Sequence, residues 1–147
     1  MIISSNGNFQ AFSLPDKLGT VAPQKIKYAL FLICKNTQKS AIADTKTPKS
    51  GRIYFYNKNG RRIRHIASAP SESHANLTGA LNKEMNFKVT SPKEALFGYS
   101  NNSKYGKFLE LGTSKMSPRP TLKNAMEKEM QKNRAILTNA LNPNKIS

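Results

Sequence analysis

The chain has 147 residues, of which 37% are hydrophobic and 8% aromatic, enough for one domain with a modest core but not two. Lys and Arg number 24 against 8 Asp and Glu, a formal net charge of +16, which predicts attraction to nucleic acid or to acidic protein surfaces. So few acids argue against paired-carboxylate or two-metal catalysis. No apolar run reaches the ~20 residues of a membrane span, and residues 1–10 lack a basic, apolar signal segment, so we expect a soluble protein made in a cytoplasm.

The first firm element is a helix over residues 23–43. We expect residues 1–21 to form a mobile N-terminal arm with one short ordered piece around residues 9–14. Pro23 suits a first helical turn, and apolar residues then recur at helical spacing. This stripe consists of Ile26, Ala29, Leu30, Ile33, Thr37 and Ala41. Tyr28, Phe31 and Leu32 widen it, which suits a helix buried on two sides or covered by a neighbouring subunit.

The only cysteine, Cys34, lies within this helix in an apolar stretch. A single cysteine excludes an intrachain disulfide and a zinc site built on several thiolates. We expect a small buried hydrophobic side chain here in preference to a reactive thiol.

Residues 51–66 predict two short strands around a turn. Asn59-Gly60 is a strong reversal signal, because both residues tolerate positive φ. Seven Lys or Arg and no acid lie between Asp44 and Glu72, the most basic stretch of the chain. The cations that we expect to face DNA or a docking partner are Arg52, Lys58, Arg61, Arg62 and Arg64.

Tyr54 and Tyr56 interleave with these cations, a pattern typical of proteins that bind single-stranded nucleic acid. Three interpretations stay open. The hairpin is a solvated basic element whose tyrosines pack on the core, a surface for nucleic acid, or a surface for an acidic protein.

The rest of the chain predicts further strands and helices. Residues 67–77 are irregular, and residues 78–84 form a short turn or strand. Met85, Phe87 and Val89 alternate with polar residues as in a half-buried strand, and residues 95–99 return antiparallel to it. A short helix around residues 105–109 ends at Gly112. A second long helix follows Pro118 and Pro120 and ends before Pro143, with an apolar face of Leu122, Met126, Met130, Leu137 and Leu141.

The elements together predict an α+β fold in a single domain over residues 22–142, with a C-terminal tail at residues 143–147. Two long helices pack on a small, mainly antiparallel β-sheet that carries the basic β-hairpin.

Catalytic chemistry finds little support in this sequence. His65 and His74 have no metal-like partner at i+3 or i+4, so we interpret both as polar loop or strand residues. Glu72, Ser73 and His74 are neighbours in a polar loop, but a catalytic triad is defined by spatial geometry and not by adjacency. Phosphate-loop and zinc-site spacings are absent, so we expect no enzyme activity, no cofactor and no metal.

Two longer segments carry more specific information. Residues 105–122, YGKFLELGTSKMSPRPTL, resemble the Y-x-x-F/V-x-E-x-G-T-x-x-M-x-x-R-P-F-L signature of the tail-completion (head–tail joining) proteins of long-tailed bacteriophages. Residues 65–81, HIASAPSESHANLTGAL, are similar to the H-x-A-S-A-P-G-E-x-P-A-x-x-T-G-x-L segment of the same family. Order and separation also match, so the likeness spans roughly residues 24–140. Departures are Ser71 where glycine is usual, His74 in a stretch that normally carries proline, and Thr121 in place of the common phenylalanine.

The resemblance implies a virion protein of the neck or tail, assembled in the host cytoplasm. It implies self-association into a ring, expected to be a hexamer, between the head connector or adaptor and the tail terminator or tail tube, with DNA passing through. It implies non-specific contact with that DNA and no membrane. The motif residues would be structural: Tyr105, Glu110, Gly112, Thr113, Met116, Arg119 and Pro120.

Glu110 has two open interpretations, because a buried carboxylate needs a partner. It either caps a backbone N–H or pairs with Arg119. The rival functions are a sequence-independent nucleic-acid-binding protein, which predicts tight, salt-sensitive binding by the isolated chain, and a small hydrolase, for which the sequence offers no nucleophile–base pair.

Overall fold

The computed structural model describes residues 2–5, 9–13, 23–100 and 104–142, with side chains in 23–100 and 105–142. These residues form four helices and antiparallel strands in two sheets, which confirms the predicted mixture of helices and antiparallel strands. The elements are β1 (Ile2–Ser5), β2 (Phe9–Ser13), α1 (Pro23–Thr45), β3 (Ile53–Lys58), β4 (Arg61–Ile66), α2 (Ala80–Glu84), β5 (Met85–Ser91), β6 (Glu94–Tyr99), α3 (Lys104–Leu111) and α4 (Thr121–Leu141).

The larger sheet has four antiparallel strands in the order β1-β2-β6-β5. This differs from the predicted arm over residues 1–21, because two strands of the sheet lie within it. The strand that pairs with β2 is β6, more than eighty residues further along the chain, so local sequence does not reveal the pairing. The rest of the predicted arm (residues 1, 6–8 and 14–21) and the predicted tail at 143–147 lie outside the described residues.

Helix α1 agrees with the prediction in its start, its length and its buried face. Every residue of the predicted stripe is buried, and α1 lies against β5 and β6. Cys34 is fully buried, and burial raises the pKa of its thiol to about 12, so the thiol stays protonated as predicted. Tyr28 is 64% exposed and Phe31 40% exposed, so a single chain does not bury this helix on two sides. Cover by a neighbouring subunit stays a prediction.

Helix α4 lies along α1, and the core forms between these helices and the strands β5 and β6. Leu122 and Met126 are buried as predicted, while Leu137 and Leu141 are partly buried against the core. Three polar residues of α4, Thr121, Glu129 and Asn133, are buried as well. The Asn133 Nδ2 donates to Thr37 Oγ1 of α1 at 3.3 Å, so part of the helix–helix contact is polar.

The stretch before β5 contains the short helix α2 where we predicted a turn or a strand. Its N-cap Gly79 has φ 78°, a left-handed conformation that glycine adopts without steric cost. A helix of five residues is too short to show helical periodicity in the sequence, which explains the wrong prediction.

Candidate functional site

Strands β3 and β4 form a two-stranded sheet of their own. Asn59 (φ 51°) and Gly60 (φ 75°) make the turn with positive φ, as the sequence predicted. All five predicted cations (Arg52, Lys58, Arg61, Arg62 and Arg64) are exposed. The tyrosines do not both pack on the core, since Tyr54 is 48% exposed.

The cations of the hairpin are divided between its two faces. Side chains alternate along a strand, and the register pairs Tyr54 with His65 and Lys58 with Arg61. Arg61 therefore shares a face with the two tyrosines, whereas Arg62 and Arg64 share the other face with Phe55. The sequence placed these cations in one stretch but did not resolve them into two separate surfaces.

Each face carries a stacked cation and aromatic ring. The Arg52 guanidinium lies 5.5 Å from the ring centroid of Tyr54, and the Arg62 guanidinium lies 4.3 Å from that of Phe55. Both distances allow cation–π attraction. The hairpin thus presents flat, charged stacks to its surroundings on both sides.

The base of the hairpin is fixed by close backbone contact. The Gly51 N–H donates to Ala67 O, and the Ala67 N–H donates to Arg52 O, each at 3.0 Å. A Cβ on Gly51 would lie 2.5 Å from Ala67 O and 2.7 Å from Ser68 O, so only glycine fits. An isolated two-stranded hairpin is marginal in water, and this junction supplies part of the missing support.

The structure supports the first of the two interpretations of Glu110, in which its carboxylate caps a helix. It is 7% exposed, and its Oε1 accepts from the Leu122 N–H of α4 at 2.8 Å and from the Tyr99 hydroxyl at 3.4 Å. Arg119 instead donates from Nε to Ser68 O at 2.9 Å. Burial raises the pKa of Glu110 to about 7, although the N–H groups at the start of α4 favour its charged form.

The remaining motif residues build the connection from α3 to α4. Gly112 has φ 75°, and a Cβ there would lie 2.7 Å from Met116 O. Thr113 and Met116 close the turn with two backbone hydrogen bonds of 2.8 and 3.2 Å. Pro120 is the N-cap of α4, and Tyr105 is 61% exposed on α3. Except for Tyr105, these residues fix the backbone conformation of the connection between α3 and α4.

The two segments that carry the family resemblance bind each other, although 23 residues (82–104) separate them in sequence. Besides the Arg119 contact with Ser68, the Ser71 N–H donates to Pro118 O at 2.9 Å. Asn124 Nδ2 donates to Ser71 O at 3.0 Å. Glu72 holds the same loop, accepting from Ala69 N–H at 2.8 Å and from the Ser50 hydroxyl at 2.5 Å. Residues from the two matching segments thus form a single structural unit.

Ser71 has φ 67°, in the left-handed region that favours glycine. The resemblance places a glycine at this position. We expect Ser71→Gly to raise the free energy of unfolding by roughly 0.5–1 kcal/mol, because the strain of a left-handed residue exceeds the extra chain entropy of glycine. Urea unfolding of the variant measures this change.

The matched control is Ser114→Gly, at an exposed turn position without positive φ. We expect the control to lose stability, because only the entropy cost of glycine remains there. Equal losses in both variants would contradict the strain at Ser71.

His74 is a loop residue as predicted, and it is buried, which the sequence did not indicate. It is 4% exposed, its N–H donates to Thr121 Oγ1 at 2.9 Å, and its Nδ1 lies 2.8 Å from the same oxygen. The Nε2 lies 3.2 Å from Asn82 Oδ1, which only accepts, so we assign the ring proton to Nε2. Two departures from the family pattern, at positions 74 and 121, are therefore partners. His65 lies in β4 and is partly exposed.

The loop of Glu72, Ser73 and His74 does not form a catalytic triad. Glu72 binds Ser50 and Ala69, and hydrogen bonding to them holds the pKa of its carboxyl below the usual range. The His74 ring binds Thr121 and Asn82. Within residues 23–100 and 105–142, no group of three His, Cys, Asp or Glu side chains is placed to hold a metal ion. In the same part of the chain, no helix has the length and apolar character of a membrane span.

A groove of about 1000 Å³ opens between the hairpin, the loop at residues 74–79, α2 and α3. We call it the hairpin groove. Tyr54 and Tyr56 line its wall, and Leu77, Leu109 and Met116 line it from the other segments. The sequence analysis missed this groove, because its lining comes from several segments that are separate in sequence and no local pattern joins them.

Searches of the chain against protein-family models, curated proteins and solved structures found no match. The resemblance to tail-completion proteins therefore rests on the two quoted segments alone.

Proposed function

We propose that this chain is a structural virion protein of a tailed bacteriophage. It completes the tail end and joins it to the head connector, as one subunit of a ring through which DNA passes. Its partners are the connector or adaptor, the tail terminator or tail tube, and its own copies. The proposal includes the α+β arrangement of two long helices packed on the sheet, with the basic hairpin as the outward element.

The observation that carries this proposal is the agreement at Ser71. The family pattern has glycine there, and the backbone of this chain has φ 67°, a conformation that favours glycine. Sequence pattern and backbone conformation are different kinds of observation, so their agreement supports the resemblance. The contact between the two matching segments supports it further, because family signatures of this kind then describe one structural unit.

The chemistry of the site favours an assembly role over catalysis. Glu110, Gly112 and Thr113 hold backbone geometry, and each has a partner or a close contact that explains it. The exposed cations of the hairpin lie outside the lining of the hairpin groove, so they supply charge without a pocket around them. Loose electrostatic contact suits a DNA conduit, because sequence-specific contacts would hold the moving DNA.

The second candidate is a sequence-independent nucleic-acid-binding protein, favoured by the exposed stacks of Arg52 on Tyr54 and Arg62 on Phe55. It predicts tight binding of oligonucleotides by the isolated chain, with affinity that falls steeply as salt rises. The joining function predicts weak binding before assembly.

The decisive experiment is electron microscopy of lysates from a phage with a stop codon in this gene. We expect separate DNA-filled heads beside tails of normal length. Intact joined virions, or a defect confined to DNA replication or packaging, would rule out the joining function and favour the nucleic-acid-binding protein.

A further inference from the structure

Exposed apolar side chains concentrate around the hairpin groove. Large hydrophobic residues with more than 40% exposure include Tyr54, Phe55, Leu77 and Tyr105, and all four line this groove. They come from the hairpin, the loop at residues 74–79 and α3, so the fold brings them together from separate parts of the chain. A cleft lined mainly by apolar and aromatic side chains is typical of a binding site.

The wall of the groove continues into basic residues. Tyr54, Tyr56 and His65 line the groove, and the register places them on the same hairpin face as Lys58 and Arg61. Arg52 joins this face through its stack on Tyr54. Among the described residues, Glu84 is the only acidic side chain in the lining. The cations beside the wall therefore favour a ligand that carries negative charge next to its apolar part.

The interior of the groove combines aliphatic residues with one guanidinium. Leu81, Leu109 and Met116 are among the lining residues, and Arg119 also reaches the groove. Arg119 uses Nε for Ser68 O, while a guanidinium has further N–H donors, and no ion pair to it occurs among the described side chains. Aliphatic pockets bind leucine-like or aromatic side chains as anchors, and an Arg beside them binds a carboxylate.

We propose that the hairpin groove binds an acidic segment of a neighbouring protein, with aliphatic or aromatic anchors in the groove and carboxylates against Arg52, Arg61 and Arg119. The inference rests on the proposed function, because a joining protein must hold a neighbour other than its own copies. Complementarity of charge favours an acidic segment over a second copy of this chain. A second copy brings another +16, and its exposed aromatic residues on α1 lie among lysines such as Lys27 and Lys35. A nucleic acid would leave the aliphatic interior without a matching surface.

The test uses the full chain and a fluorescein-labelled peptide of about 18 residues as the probe, with Leu at helical spacing and Glu at most other positions. A second peptide replaces every Leu by Ser and keeps the acids. We expect fluorescence anisotropy to show binding of the first peptide, and binding of the second at least tenfold weaker. Raising the salt concentration should weaken the first complex several-fold, because its charges are exposed.

Two pairs of variants locate the site. Leu77→Ser changes the groove, and Leu111→Ser is its control, since both leucines are 51% exposed but Leu111 does not line the groove. Arg52→Glu with Arg61→Glu reverses the charge on the hairpin face that carries Tyr54 and Tyr56, and Lys25→Glu with Lys39→Glu makes the same charge change on α1, where neither lysine lines the groove. We expect a loss of at least fivefold from the first member of each pair and less than twofold from the second.

Four results would overturn the inference. One is equal binding of the Leu and Ser peptides, and another is equal loss within either pair of variants. The third is displacement of the peptide by an oligo(dT) strand that binds the wild type more tightly than the peptide does. If that strand loses affinity both in Arg52→Glu with Arg61→Glu and in Arg62→Glu with Arg64→Glu, the surface belongs to nucleic acid. Sedimentation in which the wild type self-associates and Leu77→Ser alone does not would assign the groove to a second copy. The peptide assay uses isolated protein, so it can fail while the stop-codon phage still shows unjoined heads and tails.

Discussion

The Glu110→Gln variant is expected to lose about 3 kcal/mol of its free energy of unfolding as the pH falls from 6.5 to 4, because it retains His74. The His74→Gln variant should gain a similar amount as the pH falls from 7 to 4.5, because it retains Glu110. In the wild type each of these two trends in stability should be largely offset by the other. These opposite slopes follow from two buried groups whose pKa values are displaced in opposite directions.

Burial raises the pKa of Glu110 from 4.5 to about 7, so the folded chain binds this proton before the unfolded chain does. Its contribution is fully present below pH 4.5 and is lost as pH rises through 7. Burial lowers the pKa of His74 from 6.5 to about 4, with nearby Lys49 acting in the same direction and Asn82 opposing it. That contribution is present above pH 6.5 and is lost as pH falls through 4.

A displacement of about 2.5 pH units corresponds to roughly 3 kcal/mol for each group, because one unit is 1.36 kcal/mol. In the wild type the two contributions change with pH in opposite directions, and these changes nearly cancel between pH 4.5 and 6.5. Tyr99 also faces Glu110, but burial raises the pKa of its hydroxyl, so it stays protonated throughout.

Urea unfolding of the three proteins across pH 4 to 8 measures these slopes. Glu110→Gln keeps a carbonyl oxygen for the Leu122 N–H, which preserves the cap of α4. Other carboxyl groups act equally in all three proteins and cancel in the differences. Parallel pH profiles for the wild type and both variants would show that neither group titrates as the structure implies.

Reversing the charge of Arg61, Arg62 and Arg64 to Glu should reduce head–tail joining at least tenfold and leave the fold intact. All three side chains are exposed on the hairpin, so their replacement opens no cavity. An exposed charge contact contributes up to about 1 kcal/mol, and a factor of ten needs only about 1.4 kcal/mol. Three lost contacts, each replaced by repulsion, exceed that threshold.

The matched control reverses Lys25, Lys27 and Lys39, which are exposed on α1 and give the same change in net charge. Infectious yield and electron microscopy of the complemented phage measure joining, and circular dichroism checks the fold. Wild-type joining by the hairpin variant, or an equal defect in the control, would show that the hairpin is not the docking or DNA-facing element.

The sequence predicted those parts of the fold that local patterns determine. The stripe from Ile26 to Ala41 identified the buried face of α1, and Asn59-Gly60 identified the turn of the hairpin. It missed the pairing of β2 with β6 because the two strands are distant in the chain. It did not reveal the burial of His74, since that burial depends on Thr121 and Asn82, which no local pattern joins to it.

The candidate site was predictable to a smaller extent. Composition identified the basic stretch, and the resemblance identified Glu110 and Arg119 as structural, but their partners required coordinates. The hairpin groove was beyond sequence reasoning, because its apolar residues look like ordinary core positions until the fold leaves them exposed. Leu77 in particular lies in an irregular stretch without periodicity.

The chain enters and leaves the hairpin at one point, where Gly51 and Ala67 are joined by a hydrogen bond of 3.0 Å. Strands β3 and β4 make most of their contacts with each other, so the hairpin is a separate arm in mechanical terms. Six residues in each strand, at about 3.3 Å per residue, give it a reach of roughly 20 Å. Its length and its tip can therefore vary while the other elements keep their contacts, so the surface that the hairpin presents can change without any change in the core.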